Sequence, residues 1–358
     1  MEASSFSCPG CGSVMVFDSE KQKMVCTHCD NSMTLDELDK YYHIGENMQK
    51  SEMQGSAGGE FQEEYNTGDL KVYKCRGCGA EVLTDDNTAA TFCSFCGRPS
   101  LMEDRLTGAL LPKYVIPFKI DKESVVKMYS AWAKKGILTP STLRSKAVIE
   151  KITGMYVPFW LYDYNAEMKM DANCTKVRSE IQGDYKYVHT DHYMVKRDVE
   201  ADYIKIPADA SEKMPDDIMN KLEPFTYSQL KEFDMMYLSG YYAEKYNYDS
   251  EQMAPRVEAR VRSYIYDLTR SSITGYSTVN VISQNLRLQK CGAKYVMLPV
   301  WMLNYTYNGV NGTFAINGQT GKIVAERPIS KIKMAGWFVG ISTVAFIILL
   351  LAGRFLGV

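Results

Sequence analysis

The sequence predicts an α+β protein with two N-terminal four-cysteine zinc ribbons, a mixed β-rich domain and one C-terminal transmembrane helix. Three observations carry that prediction. A frame of two Cys-x-x-Cys pairs separated by fourteen residues occurs twice, as "CPGCGSVMVFDSEKQKMVCTHC" at 8–29 and "CRGCGAEVLTDDNTAATFCSFC" at 75–96. The middle of the chain is rich in aromatic residues that alternate with polar ones, the pattern of half-buried strands. Residues 334–353 are uncharged and mostly apolar. The expected organisation is a first ribbon with a short helix at 1–50, a flexible linker at 51–68, a second ribbon at 69–105, an α+β domain at 106–330 and a membrane helix at 334–353.

Eight of the ten cysteines form the two frames: Cys8, Cys11, Cys26 and Cys29, then Cys75, Cys78, Cys93 and Cys96. Two knuckles presenting two sulfurs each close a tetrahedron, the geometry of a structural zinc site. Gly12, Gly79 and Gly97 follow the second Cys of three knuckles, where the turn favours φ > 0, and Asp30 takes the fourth such place. The opening "MEASSFSCPGCG" has no basic start and no apolar run, so no secretory signal is expected and disulfides are disfavoured. Two structural zinc ions are the expectation, with rubredoxin-like iron left open by the spacing alone. Each ribbon holds few apolar residues, so metal binding would supply its folding energy, on the order of 10–16 kcal/mol in zinc-finger peptides.

"LDELDKYYHIGENMQ" after the first ribbon reads as helix. "SEMQGSAGGEFQEEYNTG" at 51–68 is rich in Gly, Ser and Glu and reads as a linker on which the ribbons are displayed. In the α+β domain, Asp121 is placed to cap an amphipathic helix whose apolar face is Val125, Tyr129, Trp132 and Ala133, with Gly136 at its end. A second amphipathic helix is expected at 251–271. Its apolar face would be Val257, Val261, Tyr264, Ile265 and Leu268, with Arg256, Glu258, Arg260 and Arg262 solvated. "GMYVPFWLYDYNAEMKMDA" and runs near 183–206 and 236–247 read as strands. Asn308-Gly309, Asn311-Gly312 and Asn317-Gly318 signal turns in a closing set of hairpins. "PFWLYDY" at 158–164 and "PVWMLNY" at 299–305 share Pro-x-Trp-[Leu/Met]-x-x-Tyr. The echo suggests two related β units packed together, anchored by Trp160 and Trp301.

At 1.5 Å per residue, a helix over 334–353 is long enough for the roughly 30 Å hydrocarbon core. Arg327, Lys331 and Lys333 precede the span and Arg354 alone follows it, so the N-terminal domains are expected in the cytoplasm. The chain then reads as a single-pass, tail-anchored protein of the cell membrane.

Other motifs fall away. "GQTGK" at 318–322 lacks the spacing of a phosphate loop and is followed by Ile323. His189 and His192 of "HTDH" would point to opposite faces of a strand. No nucleophile–base pair, open metal site or cofactor fingerprint is present, so no enzyme is expected. The chain carries 41 Lys and Arg against 43 Asp and Glu. Residues 1–50 carry four basic against eight acidic groups and residues 69–105 carry five against six, a charge that disfavours nucleic acid on the ribbons. The reading is a non-enzymatic membrane-anchored adaptor that binds other proteins, the alternative being a membrane-tethered nucleic-acid-binding ribbon protein.

These ribbons, followed by "VIPFKIDK…W", "GMYVPFWLYDY", "LPVWMLNY", "INGQTGKIV" and a C-terminal span, resemble a family of bacterial TFIIB-type zinc-ribbon membrane proteins, also labelled primosomal or helicase-related. The resemblance covers nearly the whole chain. It implies an association with PspA-like and SPFH-like proteins in Firmicutes and a role in recruiting such partners to the membrane under envelope stress. It also maps the eight cysteines onto the family's ribbon positions.

Overall fold

The computed structural model describes residues 2–3, 5–42 and 70–356, apart from 76–77, 79, 86, 94–95, 97, 103–105 and 107–109. The expected linker at 51–68 lies outside the described residues. The first four-cysteine unit holds β1 (Glu2–Ala3), β2 (Met15–Asp18), β3 (Lys23–Cys26), β4 (Ser32–Met33) and a helical stretch, α1, at 35–42. The second holds β5 (Leu70–Cys75), β6 (Glu81–Asp85), β7 (Thr88–Phe92) and β8 (Pro99–Leu101). The body begins with β9 (Tyr114–Val115), α2 (Lys122–Lys135), α3 (Lys146–Ile149), β10 (Thr153–Gln182) and β11 (Tyr185–Asp209). It continues through α4 (Asp216–Leu222), β12 (Lys231–Glu232), β13 (Tyr242–Glu244), α5 (Ser250–Ser271), β14 (Thr278–Tyr307), β15 (Val310–Asn317) and β16 (Ile323–Ala325). The chain closes on α6 (Lys331–Leu356). This is the mixed α+β architecture that the sequence predicts.

The sheet runs β12-β9-β14-β10-β13-β7-β8, with β11 beside β10 and β15 beside β14. Two repeats meet at its centre, β9-α2-β10-β11 and β13-α5-β14-β15. They are interlocked. β9 pairs in parallel with the second repeat's β14 (Tyr114 opposite Val296), and β13 pairs in parallel with the first repeat's β10 (Tyr242 opposite Met155).

The two tryptophans of the echoed motif do equivalent work. Trp301 Nε1 donates to the Ile120 carbonyl and Trp160 Nε1 to the Tyr248 carbonyl, each at 2.9 Å. Those carbonyls precede Asp121 and Asp249, whose carboxylates accept backbone N–H groups in the first turns of α2 and α5. Each indole thus fixes the start of a helix belonging to the other repeat.

The turns after the hairpins match as well. Ala210 N–H donates to the Pro158 carbonyl at 3.0 Å, and Gly318 N–H to the Pro299 carbonyl at 2.9 Å. In return Ala210 O accepts from Asn247 N–H at 2.9 Å, as Gly318 O accepts from Lys119 N–H at 3.0 Å. "GQTGK" is therefore the structural counterpart of the turn at 210–214. A Cβ on Gly318 would lie 2.6 Å from the Phe118 ring, which explains the glycine.

The sequence pattern locates α2 well: Val125, Tyr129, Trp132 and Ala133 are its buried residues. In α5 the expectation needs correction. The helix buries Met253, Ala254, Val257, Val261, Ile265 and Thr269, whereas Tyr264 and Leu268 are exposed. A single helix lying along a narrow ribbon covers only the stripe spaced by four residues, at about 2 kcal/mol for each large side chain removed from water. Arg260 is not freely solvated either; it donates to the Pro207 carbonyl at 2.7 Å and meets Glu223 at 3.1 Å. The expected strand at 236–247 is a 3-10 turn, Met235–Leu238, followed by the short β13. Of the three Asn-Gly pairs, Asn308-Gly309 makes the β14–β15 turn, with φ of 51° and 77°, Asn311-Gly312 lies within β15, and Asn317-Gly318 ends it.

Beyond the body, β10, β11 and β14 continue as a three-stranded ribbon. At about 3.3 Å per residue a 30-residue strand extends about 100 Å. Tyr164, Ala166, Met168, Met170, Ala172 and Cys174 face inward at alternate positions, under α5 and then under Ile273. The opposite face is polar, with Asn165 donating to Glu200 and Asp202 and with Lys169 and Arg287 paired to Glu167. β14 leaves the ribbon at Thr175 opposite Thr278, so the tip at 176–191 has two strands only.

Both four-cysteine units pack on the body. Ser239 Oγ donates to Met15 O at 2.8 Å, Phe17 N–H to Ser239 O at 2.9 Å, and Gln22 Nε2 to Phe118 O at 2.7 Å. In the second unit β7 extends the main sheet through Ala90 opposite Ala243, and Lys213 bridges Asp85 and Glu244. The units also touch each other, because β1 pairs in parallel with β5. α6 is long and apolar enough over Lys331–Leu349 to cross a membrane, and none of that stretch is buried inside the protein.

Asp209, 1% exposed at the end of β11, sits where the second repeat has Asn317. Burial pushes its carboxyl up to about 7 despite the Ser211 N–H; Asp216 adds to the push and Arg256 resists it. The unfolded chain releases this proton near pH 4, so the folded state holds more protons between about pH 4 and about 7. Stability therefore falls as pH rises through that window. Asp209→Asn, which keeps the acceptor for Ser211 N–H, should raise the unfolding temperature of the detergent-solubilised chain at pH 8, by roughly 2 kcal/mol or more in stability. The two proteins should converge near pH 4; an equal shift at both pH values would rule out the ionisation as the cause.

Candidate metal centres

The first centre is assembled by a short antiparallel hairpin that brings two knuckles together, whereas in the second each knuckle sits at the turn of its own hairpin, β5–β6 and β7–β8. In the first, Met15 lies opposite Cys26 across β2 and β3, and Ser7 bridges to Val14. The four knuckles share one hydrogen bond, from the N–H of the leading cysteine to the carbonyl five residues on. The pairs are Cys8 to Ser13 at 2.6 Å, and Cys26 to Asn31, Cys75 to Ala80 and Cys93 to Arg98 at 2.8 Å each. Such a turn needs a left-handed residue, and both that are described adopt it: Gly12 at φ 72° and Asp30 at φ 55°.

The eight cysteines fall into the two expected sets, Cys8, Cys11, Cys26 and Cys29, and Cys75, Cys78, Cys93 and Cys96. In each set the sulfurs lie within 4.8 Å of one another. Cys8 and Cys29 sulfurs are 3.7 Å apart, Cys11 and Cys26 3.5 Å, and the equivalent pairs Cys75/Cys96 and Cys78/Cys93 3.7 Å. A tetrahedron with metal–sulfur bonds of about 2.3 Å has edges of about 3.8 Å, whereas a disulfide bond is about 2.05 Å. The residues present fit a four-thiolate metal ion. Cys8, Cys26, Cys75 and Cys93 are buried and their partners exposed, so each set sits at the surface with one face against protein.

The electrostatics favour a cation. Burial opposes a Cys8 thiolate, but the N–H groups of Gly10 and Cys11 outweigh it and bring Cys8 down to about 6. The Asn31 N–H favours a Cys29 thiolate, yet the neighbouring Cys11 and Cys26 sulfurs and burial push Cys29 up to about 12. In the second set burial and the three neighbouring sulfurs push Cys96 up to about 12. Four thiols this close cannot all ionise alone, and a divalent cation supplies the charge that lets them do so. His28 N–H points at Cys26 sulfur at 3.4 Å and Asn31 Nδ2 at Cys8 sulfur at 3.8 Å. The sequence alone did not disclose the Asn31 contact, though its place just past a knuckle was a cue. His28 contributes its backbone, not its imidazole.

His189 and His192 face opposite sides of the ribbon, opposite Arg178 and Thr175, and form no cluster.

Over 353 residues the chain is 42% identical to the uncharacterized protein YdjG of Bacillus subtilis (strain 168), covering 99% of this chain and 98% of that one. The chain belongs to the YdjG family. No family model matches it, and no solved structure matches it.

Elemental analysis of the purified chain should find two bound metal ions per molecule. Cys78→Ser should leave one and lower the unfolding temperature. Because the ligands must shed protons to bind, acidification should release metal, and the released protons should be detectable on reloading. Two ions retained in Cys78→Ser would remove Cys78 from the ligand set.

Proposed function

We propose that the chain is a non-enzymatic adaptor of the cell membrane, single-pass through α6, with its four-cysteine units and body in the cytoplasm and two structural zinc ions. The observation that carries this reading is the joining of two closed four-sulfur sites, with no coordination position left for chemistry, to one body that ends in an exposed apolar helix. Zinc would have no redox task here; it would hold the knuckles and, through β7 and the Ser239 contacts, the surface that the units present with the body. Basic Arg327, Lys331 and Lys333 before the uncharged stretch at 334–353 support the cytoplasmic orientation. The body binds other proteins near the bilayer, where tethering raises the effective concentration of weak contacts.

The resemblance to TFIIB-type zinc-ribbon membrane proteins supports PspA-like and SPFH-like proteins as the partners and envelope stress as the setting. The second reading, a membrane-tethered nucleic-acid-binding protein, rests on the commoner use of zinc ribbons. Against it stands the excess of acidic groups in residues 1–50.

Affinity purification of the chain from native membranes, with and without nuclease, distinguishes the two. The adaptor reading expects a nuclease-insensitive set of proteins. Replacing Cys75 and Cys78 by serine should abolish their recovery while the chain stays membrane-bound. Loss of the recovered proteins on nuclease treatment, together with co-purified nucleic acid, would overturn it.

A further inference from the structure

The root of α6 carries a feature that neither the metal centres nor the adaptor reading uses. A groove of about 540 Å³ runs between α2, β16 and the segment that leads into α6. Its floor is apolar, made by Met128, Ala131, Trp132, Ile323 and Ala325, and its rim carries Lys135 and Arg327. Arg327 is held in place: its guanidinium lies over the Trp132 ring at 5.3 Å and its Nε donates to the Trp132 carbonyl at 3.3 Å.

The loop after α2 is tied to the same root. Ser330 N–H donates to the Leu138 carbonyl at 2.9 Å and Lys333 Nζ to the Thr139 carbonyl at 2.7 Å. Lys134 and Lys135 in the last turn of α2 therefore stand near Arg327, Lys331 and Lys333. Against these five cations the local segment offers Glu326; Glu150 is taken up by Lys146. Among the described residues Lys134, Lys135 and Lys331 have no ion-pair partner. Between the cations, Ile137, Ile329 and Ile332 are 64%, 58% and 86% exposed. Bare isoleucines beside unpaired lysines are unfavourable in water and favourable at a bilayer surface, where the apolar groups enter the interface and the cations meet phosphate.

We infer that this groove and rim form a binding site for an anionic phospholipid of the leaflet through which α6 enters. The lipid phosphate would meet Lys135, Arg327 and Lys331, and the glycerol and upper acyl chain would lie on the floor beside Trp132. Charge complementarity selects an anionic over a zwitterionic lipid, and continuity with α6 places the groove at headgroup depth. Basic groups near such a surface each add to the attraction. The inference rests on the reading of α6 as a membrane span.

The test uses the full chain. Reconstituted into vesicles of phosphatidylcholine, or of phosphatidylcholine with one-third phosphatidylglycerol, it should float with both. Native mass spectrometry of the detergent-solubilised chain, titrated with phosphatidylglycerol, should show one tightly retained lipid. The double variant Lys135→Gln/Lys331→Gln should weaken retention by about tenfold or more. The variant Lys119→Gln/Lys122→Gln, at the other end of α2, should leave it unchanged. An undiminished complement of two metal ions in both variants would certify that they fold. Equal retention of phosphatidylcholine, displacement by millimolar inorganic phosphate, or unchanged binding in the first variant would overturn the lipid site. Failure to float with either vesicle would overturn the membrane reading itself.

Discussion

The pairing of β10 with β14 is the constraint on which the rest of the structure depends. It runs from Thr153 opposite Met302 to Thr175 opposite Thr278, with two bulges that re-aim the strands. Both echoed Pro-x-Trp segments lie on it. The carbonyls of their prolines accept the returning N–H groups of Ala210 and Gly318. The two indoles, held in register by that pairing, fix the N-terminal ends of α2 and α5. Those helices then cover the hairpins of the opposite repeat: Tyr129 and Trp132 meet Phe314, and Val257 and Val261 join Tyr162, Tyr164 and Ala208. A one-residue slip would turn every aromatic of this core to the wrong face.

The four-cysteine units extend that framework. Each unit is too small to bury its own surface; its four sulfurs lie close enough together to hold a metal ion, and it has a seat on the body. The first unit sends Met15, Phe17, Met24 and Leu38 into the main core, and the second continues the main sheet through β7. A metal held by these sulfurs would couple to tertiary packing, each making the other more favourable.

The sequence disclosed most where chemistry is local. Cys-x-x-Cys spacing located both centres, and Val125, Tyr129, Trp132 and Ala133 located the buried face of α2, because periodicity survives when one face meets a broad core. It disclosed less where pairing partners are far apart. β9 and β13 are two and three residues long and have no period of their own. The full length of β10 was hidden because its outer half faces water on one side and a narrow core on the other. Tyr264 and Leu268 lie exposed beside the buried stripe of α5, because apolar identity does not report how wide a surface the helix covers. The task of "GQTGK" is not legible in its spacing, because it lies in long-range contacts: Asn317 and Gly318 tie the chain to Leu222 and Lys119.

The interlocked repeats have a kinetic consequence. Trp301 meets Ile120 across 181 residues of sequence, and Thr175 meets Thr278 across 103. Contacts of such high order are entropically expensive to close and form late. The β10–β11 hairpin, whose turn at Gly183 is local, is able to zip early, but neither it nor α2 gains its final neighbour until β14 emerges. Because each repeat lends its short strand and its helix to the other, neither half is a folding unit. The body commits as a whole, once β14 and β15 have joined β10 and β11.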